Sequence, residues 1–156
     1  MNIDRVTAQA TVAEIGVDMG RFPTAAHLAS WAEMCPNNYE PAGKRRSGKA
    51  RKGNAALWSA LIEVAWSASH SRDSYYAAQY RRFCRRFGKK SESKAIFVVA
   101  HSMLDAIWHV LTLECDYADL GADWFDLRTD SERHARRLAR RIGRLGYKVT
   151  VEPVAA

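Results

Sequence analysis

Between Ser74 and Phe87 the chain sorts its side chains by type with a helical period. Tyr76, Tyr80, Phe83 and Phe87 recur at spacings of 4, 3 and 4, while Arg81, Arg82, Arg85 and Arg86 fill positions between them. Residues three and four apart share one face of a helix, so the rings gather on one side and the guanidinium groups on the other. A strand, with its period of two, would mix the two kinds. The same sorting returns from about Asp130 to Leu145. There Ala135, Leu138, Ala139, Ile142 and Leu145 stand opposite Arg133, Arg136, Arg137, Arg140, Arg141 and Arg144. Each segment is expected to bury one face and offer the other to an anion.

The remaining elements read as helices too. Small and apolar residues from Arg5 to Ile15 predict a helix that Gly16 stops. Thr24 after Pro23 predicts a cap for a helix through Met34, with Leu28, Trp31 and Ala32 on one side. Asn54 predicts the cap of another, with Leu57, Leu61, Val64 and Ala65 inward, extending to about Ala68. Ser91 or Ser93 opens a helix whose inner side is Ile96, Ala100, Met103, Leu104, Ile107 and Leu111, apolar enough to be central. Thr129 and Glu132 have capping-box spacing ahead of the last helix, which Gly146 ends. Tyr147, Val149 and Val151 then alternate as one short strand before Pro153, with no visible partner strand. The expected class is all-α or nearly so, a single domain over 1–156.

Charge divides this domain further. Lys and Arg total 24 against 17 acids, a formal charge of +7, and twenty of the 24 fall in three blocks. Lys44, Arg45, Arg46, Lys49, Arg51 and Lys52 form the first, inside a stretch broken by Pro36, Pro41, Gly43, Gly48 and Gly53. This reads as a basic loop over 35–53. Arg81 to Lys94 forms the second and Arg133 to Lys148 the third. Between them, 114–132 is an acidic connector with seven acids and the single base Arg128, placed to fold back on a basic block or to keep acids away from a bound backbone. A helical core over 54–113 precedes it, and a basic helix and tail over 133–156 follow. An unmixed basic face suits a polyanion better than it suits solubility alone, and arginine's fork can hold two phosphate oxygens at once.

Other chemistries find less footing. Gly43 to Lys49 spells GxxxxGK, but Ala50 lacks the hydroxyl that would hold Mg²⁺ and no strand precedes the loop. His101, Asp105 and His109 are four apart on the central helix, where a metal-dependent hydrolase would place ligands. The glutamate of HExxH is missing and one helix face makes a shallow site, so no metal is assigned. Asp116, Asp119, Asp123 and Asp126 do not follow the calcium-loop pattern. Cys35, Cys84 and Cys115 are widely spaced and read as reduced structural thiols. His101, Asp105 and His109 interrupt the longest apolar stretch, Ala95 to Leu113, so no membrane partner is expected. The start MNIDRVTAQA shows no secretory signal, and the expected address is cytoplasmic.

Several stretches carry a resemblance. VAEIGVDMGRFPTAAHLASWAEMCPNNYEPAGKRRSGKARKGNAALWSALIEVAW, AAQYRRFCRRFGKK, VVAHSM and YADLGADWFD are similar to the C-terminal transposase domain of the IS-one-ten insertion-sequence family, with its one-sixteen and nine-oh-two types. The resemblance implies an RNA-guided recombinase. In such enzymes an N-terminal RuvC-like domain binds Mg²⁺ through four acids, and the helical C-terminal domain supplies a serine nucleophile from the loop. Pro41 stands at the expected serine position here, and Ser47 is a weak substitute six residues on. Proline cannot form a phosphoserine-type link, so no catalytic residue is assigned. Met1 to Val6 aligns inside the helix-hairpin-helix that opens the domain, so 1–34 is expected to be part of that motif and the chain a catalytically incomplete fragment.

The expected function is therefore the DNA-binding part of an insertion-sequence transposase, with a stand-alone nucleic-acid-binding regulator as the first rival and a metal-dependent hydrolase using His101, Asp105 and His109 as the second. The expected contacts are Lys44, Arg45, Arg46, Lys49, Arg51, Lys52, Arg81, Arg82, Arg85, Arg86, Arg133, Arg136, Arg137, Arg140, Arg141 and Arg144. No cofactor is expected in this chain, since Mg²⁺ belongs to a full-length family member. DNA is the expected partner, with a guide RNA and full-length transposase as further candidates.

Overall fold

The computed structural model describes residues 5–35, 54–88, 92–128 and 131–152, with Ser131 and Arg133 described by backbone alone. Among these residues the fold is all-α. In chain order it comprises α1 (Arg5–Ile15), a 3₁₀ turn (Met19–Arg21), α2 (Ala25–Trp31), α3 (Ala55–His70), α4 (Tyr75–Phe87), α5 (Glu92–Leu113), α6 (Trp124–Leu127) and α7 (Ser131–Gly143). Residues 36–53 of the basic loop, Ser91, Thr129, Asp130 and Pro153 lie outside the described residues.

Caps chosen by the sequence set the helix starts. Thr24 accepts from His27 N and Ser74 from Ala77 N, each satisfying a donor that the first turn leaves free. Asn54 accepts from Ala56 N at 3.0 Å and Leu57 N at 3.1 Å, and its amide donates to the Glu14 carboxylate. One side chain thus starts α3 and ties it to the end of α1. Gly16 ends α1 at φ +80°, with its N–H on Val12 O at 2.8 Å.

Helix α2 stops at Trp31, short of the expected Met34. Glu33 takes a left-handed φ of 54°, while Glu33 N bonds Ser30 O and Met34 N bonds Ala29 O. This pair of bonds is a Schellman ending, which reverses the chain so that Met34 drops into the core. The sequence pattern around Met34 was apolar because the residue is buried, and burial here does not require a helix.

The core forms around α5. Ile96, Val99, Ala100, Met103 and Leu104 are buried there, together with Leu57, Leu61 and Ala65 of α3, Leu28 and Ala29 of α2, Ile15 and Tyr76. Helices α2, α3 and α4 all pack on α5. Trp108 donates its indole N–H to Phe22 O at 2.9 Å, and Gln79 donates to Ser102 Oγ at 2.8 Å. At 22 residues α5 is long and apolar enough by composition to cross a membrane, despite His101, Asp105 and His109. Its packing against three other helices gives that apolar surface a core to fill.

Two expectations fail at the C-terminal end. Residues 147–152 form no strand, and Tyr147 and Val151 are exposed. A lone strand leaves all its backbone groups without a ladder, so water serves them better. The apolar stripe of α7 is also not buried, since Leu138, Ile142 and Leu145 are 44%, 41% and 72% exposed. Among the described elements α7 packs only on α6, whose four residues are too few to cover a stripe more than two turns long.

Candidate nucleic-acid interface

The two arginine-bearing helices are brought into relation by the acidic connector, which returns to the start of α4. Asp119 Oδ1 accepts from Tyr75 N at 2.9 Å and Gly121 N at 2.8 Å. A carboxylate at a helix start meets free N–H groups and the positive end of the helix dipole. Tyr117 stacks on Tyr76 with ring centres 6.1 Å apart. Trp124 and Phe125 of α6 close on Tyr75, the first edge-on at 5.3 Å and the second stacked at 5.0 Å. Burial raises the phenol pKa values of Tyr75, Tyr76 and Tyr117, because an ionised ring would lose its water.

Helix α6 is the joint between the two arginine faces. On one side, Arg82 Cζ stands 5.1 Å from the Phe125 ring centre, a cation–π contact from α4. On the other, Asp126 Oδ1 lies 3.5 Å from Arg137 Nη2 and 3.5 Å from His134 Nδ1, both on α7. Consecutive residues of α6 therefore take one arginine from each helix. Arg128 completes the joint by lying 4.7 Å from the Trp124 ring centre.

Arg81, Arg82, Arg85 and Arg86 are exposed on α4, as are Arg136, Arg137, Arg140, Arg141 and Arg144 at α7. Arg136 pairs with Glu132, and Arg137 pairs with Asp126. Arg81, Arg82, Arg85, Arg86, Arg140, Arg141 and Arg144 have no carboxylate within ion-pair distance among the described residues. Arg85 Nε instead donates to Arg81 O at 3.2 Å. Lys44, Arg45, Arg46, Lys49, Arg51, Lys52, Pro41 and Ser47 fall outside the described residues, as does the side chain of Arg133.

His101, Asp105 and His109 do not converge on a point. His101 Nδ1 lies 3.8 Å from Asp105 Oδ2, while His109 is exposed and its ring lies edge-on to Trp108. Among the described residues no group of three or more His, Cys, Asp or Glu is arranged to hold a metal ion. The geometry gives the hydrolase reading no support.

Sequence reasoning missed the residues of the joint: Trp124, Phe125, Asp126 and His134. The signal was present in Tyr117-Ala-Asp-Leu-Gly-Ala-Asp-Trp-Phe-Asp126, where aromatic and acidic residues alternate too densely for a plain linker.

Residues 2–81, just over half of the chain, match the family described as Transposase IS116/IS110/IS902. The chain belongs to this family. The matched span of the transposase covers α1, the 3₁₀ turn, α2 and α3, and it ends within α4 at Arg81. Most of the α4 arginine face, and all of α6 and α7, lie beyond it. Among curated proteins and among solved structures, none matches the chain.

Proposed function

We propose that this chain is the DNA-binding part of an insertion-sequence transposase, and that the arginine faces of α4 and α7 hold the sugar-phosphate backbone on either side of α6. One observation carries the reading: seven exposed arginines on these two segments lack a carboxylate partner among the described residues. A surface built for solubility mixes signs and pairs them. Arginines left open in rows suit a ligand that brings its own negative charge, and each phosphate they bind releases condensed counterions.

Carboxylates are held away from these rows. Asp119 is occupied by the start of α4 and Asp126 by the start of α7. Both are thus committed to positioning, and neither repels an incoming phosphate along the far turns. The chain's own part is binding and orientation. Pro41 offers no hydroxyl for attack on phosphorus, so no strand-transfer step is placed on it.

The decisive measurement is binding to duplex DNA by fluorescence anisotropy across a salt series. Contact with four or more phosphates gives a log–log slope steeper than about −3. A flat dependence would overturn the proposal. Incubation of the purified chain with Mg²⁺ and a DNA end should yield no covalent protein–DNA adduct, and an adduct would show that a nucleophile remains.

A further inference from the structure

The core has an open apolar groove between α1, α3 and α5, of about 180 Å³, whose walls include Ala8, Val12, Val64, Ile107, Val110 and Leu111. It runs on into a second depression, which shares Tyr76, Ala106, Val110 and Tyr117 with it and carries Asp105 and Asp116. No lysine or arginine lines either part. Indeed none occurs from Asn54 to Ser71 or from Ala95 to Leu127. The chain therefore holds an apolar hollow with acid at one end.

It also holds the complement of that hollow. Ala135, Leu138 and Ile142 follow a spacing of 3 and 4 along one face of α7, the pattern of a helix that anchors in a groove, and Leu145 follows in the turn after it. Three of the four are exposed large side chains. Arg141 borders this stripe, three residues after Leu138 and one before Ile142, and has no carboxylate partner among the described residues. Within its own chain α7 is held on α6 through Asp126, and the stripe stays open.

We propose that the chain self-associates by seating the apolar face of α7 from one copy in the α1–α3–α5 groove of a second, with Arg141 directed to Asp105 and Asp116. Two such contacts, made reciprocally, close a dimer with twofold symmetry. Apolar fit supplies the affinity, and the opposite charges set the direction in which the helix lies. Arg140 sits on the far side of α7 and stays available to phosphate.

Sedimentation velocity on the nuclease-treated full chain, over about a hundredfold range of concentration, tests this. A concentration-dependent dimer is expected, and a monomer throughout would overturn the proposal. Leu138→Asp alters the exposed stripe and Ala106→Trp fills the groove. Each should weaken dimerisation by about tenfold or more with helicity unchanged by circular dichroism. Mixing the two variants should restore a heterodimer, because one retains the groove and the other the helix. A dimer that survives Ala106→Trp with that helicity intact would place the contact elsewhere and overturn the assignment.

Discussion

Arg137 Nη2 stands 3.5 Å from Asp126 Oδ1, which joins the first basic turn of α7 to the last acid of α6. Both side chains are more than half exposed, so solvent screens the pair and it contributes under about 1 kcal/mol to stability. Asp126→Asn should therefore leave the urea midpoint almost unchanged. It should strengthen DNA binding, since Arg137 is released. Weaker binding in anisotropy titrations would show that the placement of α7 matters more than the charge of Arg137.

Replacing Arg140 and Arg144 together by Glu should lower DNA affinity at every sequence alike. For every phosphate that the variant no longer neutralises, the log–log salt dependence should become shallower by about 0.9. Because neither residue is ion-paired among the described residues, the thermal midpoint should hardly move. An unaltered salt slope would remove α7 from the interface.

Asn54→Ala removes the cap of α3 and the link to Glu14 in one step. Removing such a cap costs about 1 kcal/mol. Urea unfolding should register that loss, with Asn54→Asp recovering the cap but setting two carboxylates against each other at Glu14. If Asn54→Asp matched the native chain, the contact to Glu14 would carry no weight.

Tyr76 links stability to alkaline pH. Its phenol is 2% exposed, and burial, reinforced by neighbouring Tyr117, raises its pKa well above the ordinary value of 10.0. The unfolded chain gives up this proton near pH 10 while the folded chain retains it. The stability due to the protonated form is thus complete below that pH and is lost as pH rises beyond it. Urea midpoints from about pH 9 to about pH 11 should fall more steeply for the native chain than for Tyr76→Phe. Parallel profiles would mean that the ring ionises equally well in both states.

Much of the fold was legible in the residues. Asn54, Thr24 and Gly16 act where capping chemistry put them, and the inner sides of α3 and α5 follow the 3.6-residue period. Local chemistry decides such features, so local sequence shows them. The inward face expected for α7 was a different matter. Amphipathic spacing shows that Leu138 and Ile142 form a stripe, but burial depends on what another part of the chain brings to it. The contribution of α6 was hidden for the same reason. Phe125 and Asp126 matter because of Arg82, distant in sequence, and Arg137, on the helix that follows. Of the candidate site, the arginine faces could be read and the joint between them could not.

Since α7 meets the other described elements through four residues of α6, it can come away without opening the core. Its amides should exchange with solvent long before those of α3 and α5. In a chain built this way, the surface that α7 presents is set apart from the residues that hold the core together. Selection can therefore alter the charge of one peripheral helix at no cost to the residues that keep the molecule folded.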